Sequence, residues 1–223
     1  MTEVAERKRG TTQGPGPQTA KRATDLVLSL IAVIALMPLL LLLWLLVRTT
    51  SSGPALFRQE RLGRDKRPFT LLKLRTMYID NDDRIHRDYV TGLLSADGAA
   101  GAGASGLFKL EGDPRVTRLG AWLRRSSLDE LPQLINVLKG EMSLVGPRPV
   151  LSWEAEMFGQ PYRRRFDAKP GMTGLWQVSG RSDLDWDEAV RLDVRYVENW
   201  SLMLDLQILR KTWAAISGGT GAY

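Results

Sequence analysis

Residues 26–47 read LVLSLIAVIALMPLLLLLWLLV, a run without a single charged side chain. As a straight helix it would extend roughly 33 Å, about the thickness of a bilayer's hydrocarbon core. Only Ser29 and Pro38 interrupt its apolar character, and Trp44 stands near its far end, where interfacial aromatic side chains gather. The run is too long, and begins too far into the chain, for the apolar region of a cleaved signal peptide. Length alone favours a single-pass anchor. The flanks argue otherwise: Arg7, Lys8, Arg9, Lys21 and Arg22 precede the run, and Arg48, Arg58 and Arg61 follow it. A single pass would leave one basic cluster on the outer face, against the positive-inside bias. Pro38 also removes a backbone N–H in mid-run and bends a helix. A re-entrant helix that enters, bends at Pro38 and returns to the same face meets both observations, and this is the topology predicted.

Charge follows the same division. The chain has 223 residues and a formal net charge of +6. Residues 1–22 carry +3, residues 23–47 carry −1, residues 48–75 carry +6 and residues 76–223 carry −2. The basic excess flanks the apolar run, which suits an anionic membrane surface and not a nucleic-acid coat. The absence of Cys excludes disulfides, thiolate metal sites and Cys nucleophiles, and a single His (His86) leaves too few parts for a Ser-His-Asp triad. The length suits one domain with appendages.

Outward from the apolar run, residues 1–20 read as a disordered arm, residues 21–48 as the membrane helix and residues 49–223 as a cytoplasmic domain. Residues 95–106 are almost all Ala and Gly and read as a mobile loop. Residues 69–77 suit a short strand; residues 118–125 and 131–139 suit helices; residues 147–149 and 169–180, rich in turn formers, suit loops. Residues 186–217 read as helical with a break near Asn199 to Ser201. The last helix sets Leu202, Leu206, Leu209 and Trp213 on one side, which fits a core helix and an interfacial helix equally; seven Trp in the chain favour the second. His86 reads as a solvated surface residue, and Arg163-Arg164-Arg165 as a solvated charged face. The expected fold class is α+β, mostly helical.

Four short stretches could carry chemistry. In Ser126-Ser127-Leu128-Asp129-Glu130-Leu131-Pro132-Gln133, Ser127 and Glu130 have capping-box spacing, so the plainest reading is a helix start. The helix dipole would keep Asp129 or Glu130 ionised there, and an ionised carboxylate can attack phosphorus or bind Mg²⁺. Arg124 and Arg125 lie just upstream, suited to phosphate oxygens. In Gly146-Pro147-Arg148-Pro149, an Arg fixed between two prolines suits bidentate phosphate recognition; the plainer reading is a surface turn. Lys73-Leu74-Arg75-Thr76-Met77 sets two bases on one side of a strand, suited to a diphosphate or simply to a basic outer face. Lys169-Pro170-Gly171-Met172-Thr173-Gly174-Leu175-Trp176-Gln177 is a Gly-rich loop whose backbone can approach a ligand closely. Each signal alone is weak.

Taken together and in order, these stretches resemble the bacterial sugar transferase family, the monotopic phosphoglycosyl transferases. To them are added Lys21-Arg22-x-x-Asp25, Gly53-Pro54-Ala55-Leu56-Phe57 with Gln59 and Arg61, Asp113-Pro114-Arg115-Val116-Thr117, Asn136-Val137-Leu138-Lys139-Gly140, Met142-Ser143-Leu144-Val145, residues 169–181 and the closing Gly221-Ala222-Tyr223. The resemblance implies transfer of a sugar 1-phosphate from a UDP-sugar to polyprenyl phosphate, with release of UMP, at the cytoplasmic face of the bacterial inner membrane. It implies Asp129 as the nucleophile that takes the phosphosugar, Glu130 as its partner, Mg²⁺ bound with Asp129, and substrate binding by Lys73, Arg75, Arg124, Pro147, Arg148 and Pro149. It implies membrane lipids as partners, no nucleic acid, and a membrane helix broken at Pro38. Met37 stands where the family often has Ser, and Leu74 where it often has Phe. With no further membrane helix before Lys21, the chain resembles the minimal form of the family, and its ending resembles exopolysaccharide-initiating members that use galactose or glucose. A catalytically inert membrane adaptor, the alternative, would be expected to lack Asp129, Glu130 or Arg148; all three are present.

Overall fold

The computed structural model describes residues 15–79, 113–156, 158–180, 184 and 186–217. The Ala/Gly stretch 95–106, His86, Arg181 and the closing Gly221-Ala222-Tyr223 lie outside the described residues. The fold is mostly helical with two small sheets.

The apolar run is the body of α1, Pro15–Thr50, a helix of 36 residues and roughly 54 Å. It begins ahead of the expected boundary, so residues 15–20 are helical and not part of the arm. Adding turns to a helix already formed is cheap, and proline is tolerated in a first turn. The helix is continuous across Pro38. Its apolar surface divides by face. Asp25, Ser29, Leu43 and Val47 are buried, while Val27, Leu30, Ile31, Ile34, Leu41, Leu42 and Leu45 are all more than half exposed.

Both ends of α1 are fastened to the same body. Near the N-terminal end, Lys21 Nζ donates to Asp205 Oδ2 at 2.7 Å and to the Val145 carbonyl at 3.1 Å. Arg22 donates to the carbonyls of Val137 and Leu138 at 2.6 and 2.8 Å. Asp25 Oδ1 accepts from Ser143 Oγ and the Leu144 N–H, both at 3.1 Å. At the C-terminal end, Leu43 and Val47 pack with Ala55, Leu74 and Leu123, flanked by Leu39, Leu119, Leu128 and Leu131.

After α1, β1 (Leu56–Leu62) and β2 (Pro68–Leu74) form an antiparallel hairpin pairing Leu56 with Leu74 and Leu62 with Pro68. The strand expected over 69–77 is therefore β2, ending three residues sooner. Helix α2 (Arg118–Arg125) starts at Thr117, whose Oγ1 accepts the Gly120 N–H at 2.8 Å. Gly120 lies directly on β2's continuation: a Cβ there would stand 2.0 Å from the Thr76 carbonyl oxygen. Helix α3 (Gln133–Lys139) ends at Gly140, whose φ of 87° is the left-handed conformation glycine adopts freely. The buried Asn136 ties α3 to β2, donating to the Thr70 carbonyl at 2.7 Å and accepting from the Leu72 N–H at 3.1 Å.

Strands β3 (Ser143–Val145) and β4 (Gly171–Thr173) pair in parallel. Residues 169–180 are thus not all loop: they hold β4 and a 3-10 turn, Trp176–Val178. Pairing with β3 overrides the turn-forming composition. Between them lie α4 (Ser152–Glu156) and a 3-10 segment, Gln160–Asp167. The chain continues with α5 (Trp186–Glu198) and α6 (Leu202–Ser217), separated where a break is expected. On α6, Ile208 is buried with Tyr196 and Val145, and Leu209 packs against them. Leu202, Met203, Leu206, Trp213 and Ile216 are exposed, so most of the helix's apolar side is surface and not core.

Candidate active site

The site forms where α2 turns into α3. Ser127 has a left-handed backbone (φ 54°) and makes no side-chain cap, so the expected capping box with Glu130 is absent. Pro132, which lacks an N–H, takes the N-cap position of α3. Between them Leu128–Glu130 is a 3-10 turn. Leu128 and Leu131 pack against the cluster around Leu43 and Val47, which seats the turn beside the C-terminal half of α1.

Asp129, in this turn, is buried, and its charge acts on Arg124. Arg124 projects from the last turn of α2 and donates through Nε to Thr76 Oγ1 at 2.9 Å. Burial lowers its pKa, opposed first by Asp129 and then by Asp113. Glu130 points to the hairpin and accepts from Lys73 Nζ at 2.8 Å. Glu130 also acts electrostatically on Arg61 and Arg148. One 3-10 turn thus sets two carboxylates among Lys73, Arg124, Arg148 and Arg61, a cationic surround suited to a multiply charged phosphate ester.

Arg148 lies in the turn 147–149. Desolvation lowers its pKa, while the carboxylates of Glu154, Glu130 and Asp193 act in the opposite direction. The neighbouring Arg61 is lowered to about 10, again chiefly by burial and next by the Arg148 charge. Arg61 therefore remains a guanidinium ion at neutral pH.

The structure brings Asp129, Glu130, Lys73, Arg124 and Arg148 together, with Pro147 and Pro149 shaping the turn. Arg75 is not among them. Its guanidinium lies at the C-terminal end of α1, donating to the carbonyls of Ser51 at 2.7 Å, Pro54 at 2.6 Å and Val47 at 3.2 Å. Carbonyls at a helix C-terminus lack intrahelical donors, and a buried Arg supplies them. Arg75 therefore serves the C-terminal end of α1 in this fold. Pro38 lies within α1, remote from this turn in sequence.

Sequence reasoning missed several residues. Arg165 is not part of a solvated face: it is 4% exposed and paired with Asp193 at 2.6 Å. Glu154 is fully buried and 3.5 Å from Arg61. A lone acid on a helix gives no local signal of burial. Arg165 sits in a run whose neighbour Arg164 is exposed and paired with Glu198.

The profile of the bacterial sugar transferase family matches residues 16–219, and the chain belongs to that family. It is similar to the "undecaprenyl-phosphate galactose phosphotransferase" of Salmonella typhimurium, 45% identical over 203 residues that make up 91% of this chain and 41% of that protein. The "UDP-galactose-lipid carrier transferase" of Erwinia amylovora gives the same figures. The "exopolysaccharide production protein ExoY" of Sinorhizobium fredii is 42% identical over 204 residues, 92% of this chain and 88% of that protein. The chain thus spans about two fifths of the length of the first two and most of the third.

Proposed function

We propose that the protein transfers a sugar 1-phosphate, galactose or glucose, from a UDP-sugar to undecaprenyl phosphate and so initiates exopolysaccharide synthesis. The observation that carries this reading is Asp129, a buried carboxylate beside Arg124, in a turn seated on the C-terminal half of an apolar helix. A nucleophile that passes a polar group to a lipid phosphate needs that combination: a phosphate cradle at the edge of a membrane.

In the first step a carboxylate oxygen of Asp129 attacks the phosphorus bearing the sugar. The bond from that phosphorus to the bridging oxygen breaks, and UMP leaves with the oxygen. In the second step an oxygen of undecaprenyl phosphate attacks the same phosphorus, forming the lipid diphosphate sugar and restoring the carboxylate. Arg124, Arg148 and Lys73 hold phosphate oxygens, and Glu130 orients Lys73. Mg²⁺ is the proposed cofactor. Among the described residues no three acidic or imidazole side chains converge. The chain therefore offers one or two carboxylates, Asp129 first, a donor set that suits Mg²⁺ when substrate phosphates complete its shell. The ion would neutralise charge on the diphosphate.

The fastening of both ends of α1 to one body supports the re-entrant topology. A spanning helix would carry one end to the far side of the bilayer. The exposed faces of α1 and α6 supply apolar surface for lipid, and the basic flanks suit the cytoplasmic leaflet of the inner membrane. The test is UMP release by purified protein with undecaprenyl phosphate, Mg²⁺ and a panel of UDP-sugars. Release that disappears in Asp129→Asn supports the reading and identifies the sugar. Equal release by both proteins moves the nucleophile elsewhere, and no release with any sugar favours the inert adaptor.

A further inference from the structure

Residues 147–151 cannot organise themselves. Pro147 and Pro149 have no N–H, so the segment has few donors of its own and depends on partners from elsewhere. Those partners are all present. The Pro147 carbonyl accepts from the Gly171 N–H at 2.8 Å, and the Val150 carbonyl from the Leu62 N–H at 2.9 Å. The Leu151 N–H donates to Glu154 Oε2 at 2.7 Å, and the Pro149 carbonyl accepts from Arg61 at 3.4 Å.

Arg148 itself is held on both sides by one ion pair. Its N–H donates to Asp193 Oδ2 at 3.3 Å, and its carbonyl accepts from Arg165 Nη2 at 2.9 Å. The same Nη2 donates to the same Oδ2 at 2.6 Å, which closes a ring of three hydrogen bonds through the Arg148 residue. Asp193 comes from α5 and Arg165 from the 3-10 segment, so the ring joins three separate parts of the fold. Arg165 is held further by two aromatic rings, with its guanidinium carbon 4.7 Å from the Phe158 centroid and 5.9 Å from that of Phe166.

This arrangement is costly. Asp193 is 2% exposed, and its Oδ1 has no hydrogen-bond partner among the described residues. Apolar residues of similar volume would fill such a place at equal or better stability. What they would not do is accept the Arg148 N–H and donate to its carbonyl at once.

We infer that Asp193 and Arg165 are positioning residues for Arg148, fixing its main chain so that its guanidinium stands toward Glu130 and the substrate phosphate. The inference rests on the reading of Arg148 as a phosphate-binding residue. The pair itself touches no substrate.

The experiment uses the full chain in detergent, with undecaprenyl phosphate and the UDP-sugar that supports turnover. The double variant Arg165→Gln/Asp193→Asn removes both charges and leaves neither unpaired. It is expected to unfold cooperatively, as the parent does, with kcat lower by on the order of 10- to 100-fold. Combined with Arg148→Lys it should lower kcat no further than the worse of its two components, because both act through one guanidinium. Parent-like kcat in the folded double variant overturns the inference. So does full multiplication of the two losses, which would mark a general structural effect. If the double variant does not fold, Arg165→Lys is measured by the same criteria, since it keeps the charge opposite Asp193 and loses the reach to the Arg148 carbonyl. Parent-like kinetics in Arg148→Lys and Arg148→Ala would instead remove the reading of Arg148 and leave the ring a structural clamp.

Discussion

Lys73 on β2 and Glu130 on the 3-10 turn meet at 2.8 Å, joining the hairpin to the segment that carries Asp129. Both side chains are about one third exposed. Water screens such a pair, so its contribution to stability is about 1 kcal/mol or less. Its contribution to catalysis is a separate matter. Lys73→Met and Glu130→Gln should therefore melt within a few degrees of the parent and yet lose turnover by at least an order of magnitude. Unfolding curves and UMP release on the same preparations check this, and parallel losses in both would place the pair in the scaffold alone.

Asp129→Asn is nearly isosteric and removes a buried charge, so the variant should fold as well as the parent. Loss of a covalent nucleophile should cut kcat on the order of 10³-fold or more. Incubating the parent with UDP-sugar alone should leave a sugar phosphate on the protein, detectable by intact mass, and Asp129→Asn should show none.

Arg75 makes the opposite prediction. Because its guanidinium serves the carbonyls of Val47, Ser51 and Pro54, Arg75→Ala should cost about 3 kcal/mol of stability through stranded acceptors. The KM for UDP-sugar of the folded fraction should stay at the parent value. A raised KM without loss of stability would return Arg75 to the substrate site.

Lys21→Met leaves Asp205 buried and without its cation, which should destabilise by about 3–5 kcal/mol. Lys21→Met/Asp205→Asn removes both charges and should recover most of that loss. Single cysteines at Ala5 and Ser52, added to this Cys-free chain, should react with an impermeant reagent from one face of the membrane only. Labelling from opposite faces would establish a single pass.

Asp193 makes a prediction about pH. Burial raises its pKa from 3.8 to about 6, against the lowering effect of Arg165 and of the Arg148 backbone and charge. An acid with a raised pKa in the folded state stabilises the fold most when protonated. Its contribution is therefore complete below about pH 4 and is lost as the pH rises to about 6. The stability of the parent relative to Asp193→Asn should fall across that interval and level off above pH 7. Chemical denaturation at several pH values measures the difference, and a flat or rising difference would mean that Arg165 outweighs burial.

Local patterns carried most of the helices. Residues 118–125 read as a helix because the apolar positions Leu119, Trp122 and Leu123 repeat at helical spacing. The break between α5 and α6 was legible from Asn199 and Ser201. What escaped was fixed by partners distant in the chain. β4 has three residues, Gly171, Met172 and Thr173, and exists only because β3 lies alongside. β1 reads Leu-Phe-Arg-Gln-Glu-Arg-Leu, too polar to announce a strand until β2 pairs with it. The spacing of Ser127 and Glu130 suggested a cap that a left-handed Ser127 does not make. In the fold Lys73, Arg124 and Arg148 surround Asp129 and Glu130 while Arg75 lies at the end of α1, since a pair of bases in one strand does not reveal which end of a helix lies nearby. Asp193, Arg165 and Glu154 were not legible as a frame, because isolated charges show neither their burial nor their partners.

The anchors of α1 also set an order of events during synthesis. The helix is made before its partners: Val137 and Leu138 follow Arg22 by 115 and 116 residues, and Asp205 follows Lys21 by 184. At 5–20 residues per second the ribosome needs about 10 to 40 s to deliver Asp205 after Lys21. Until the last of these partners is made, the apolar helix lacks part of the protein surface that finally covers it. For a helix inserted in a bilayer, depth and orientation would then be set by lipid and by its own basic flanks, and the globular body would fold onto a helix already in place.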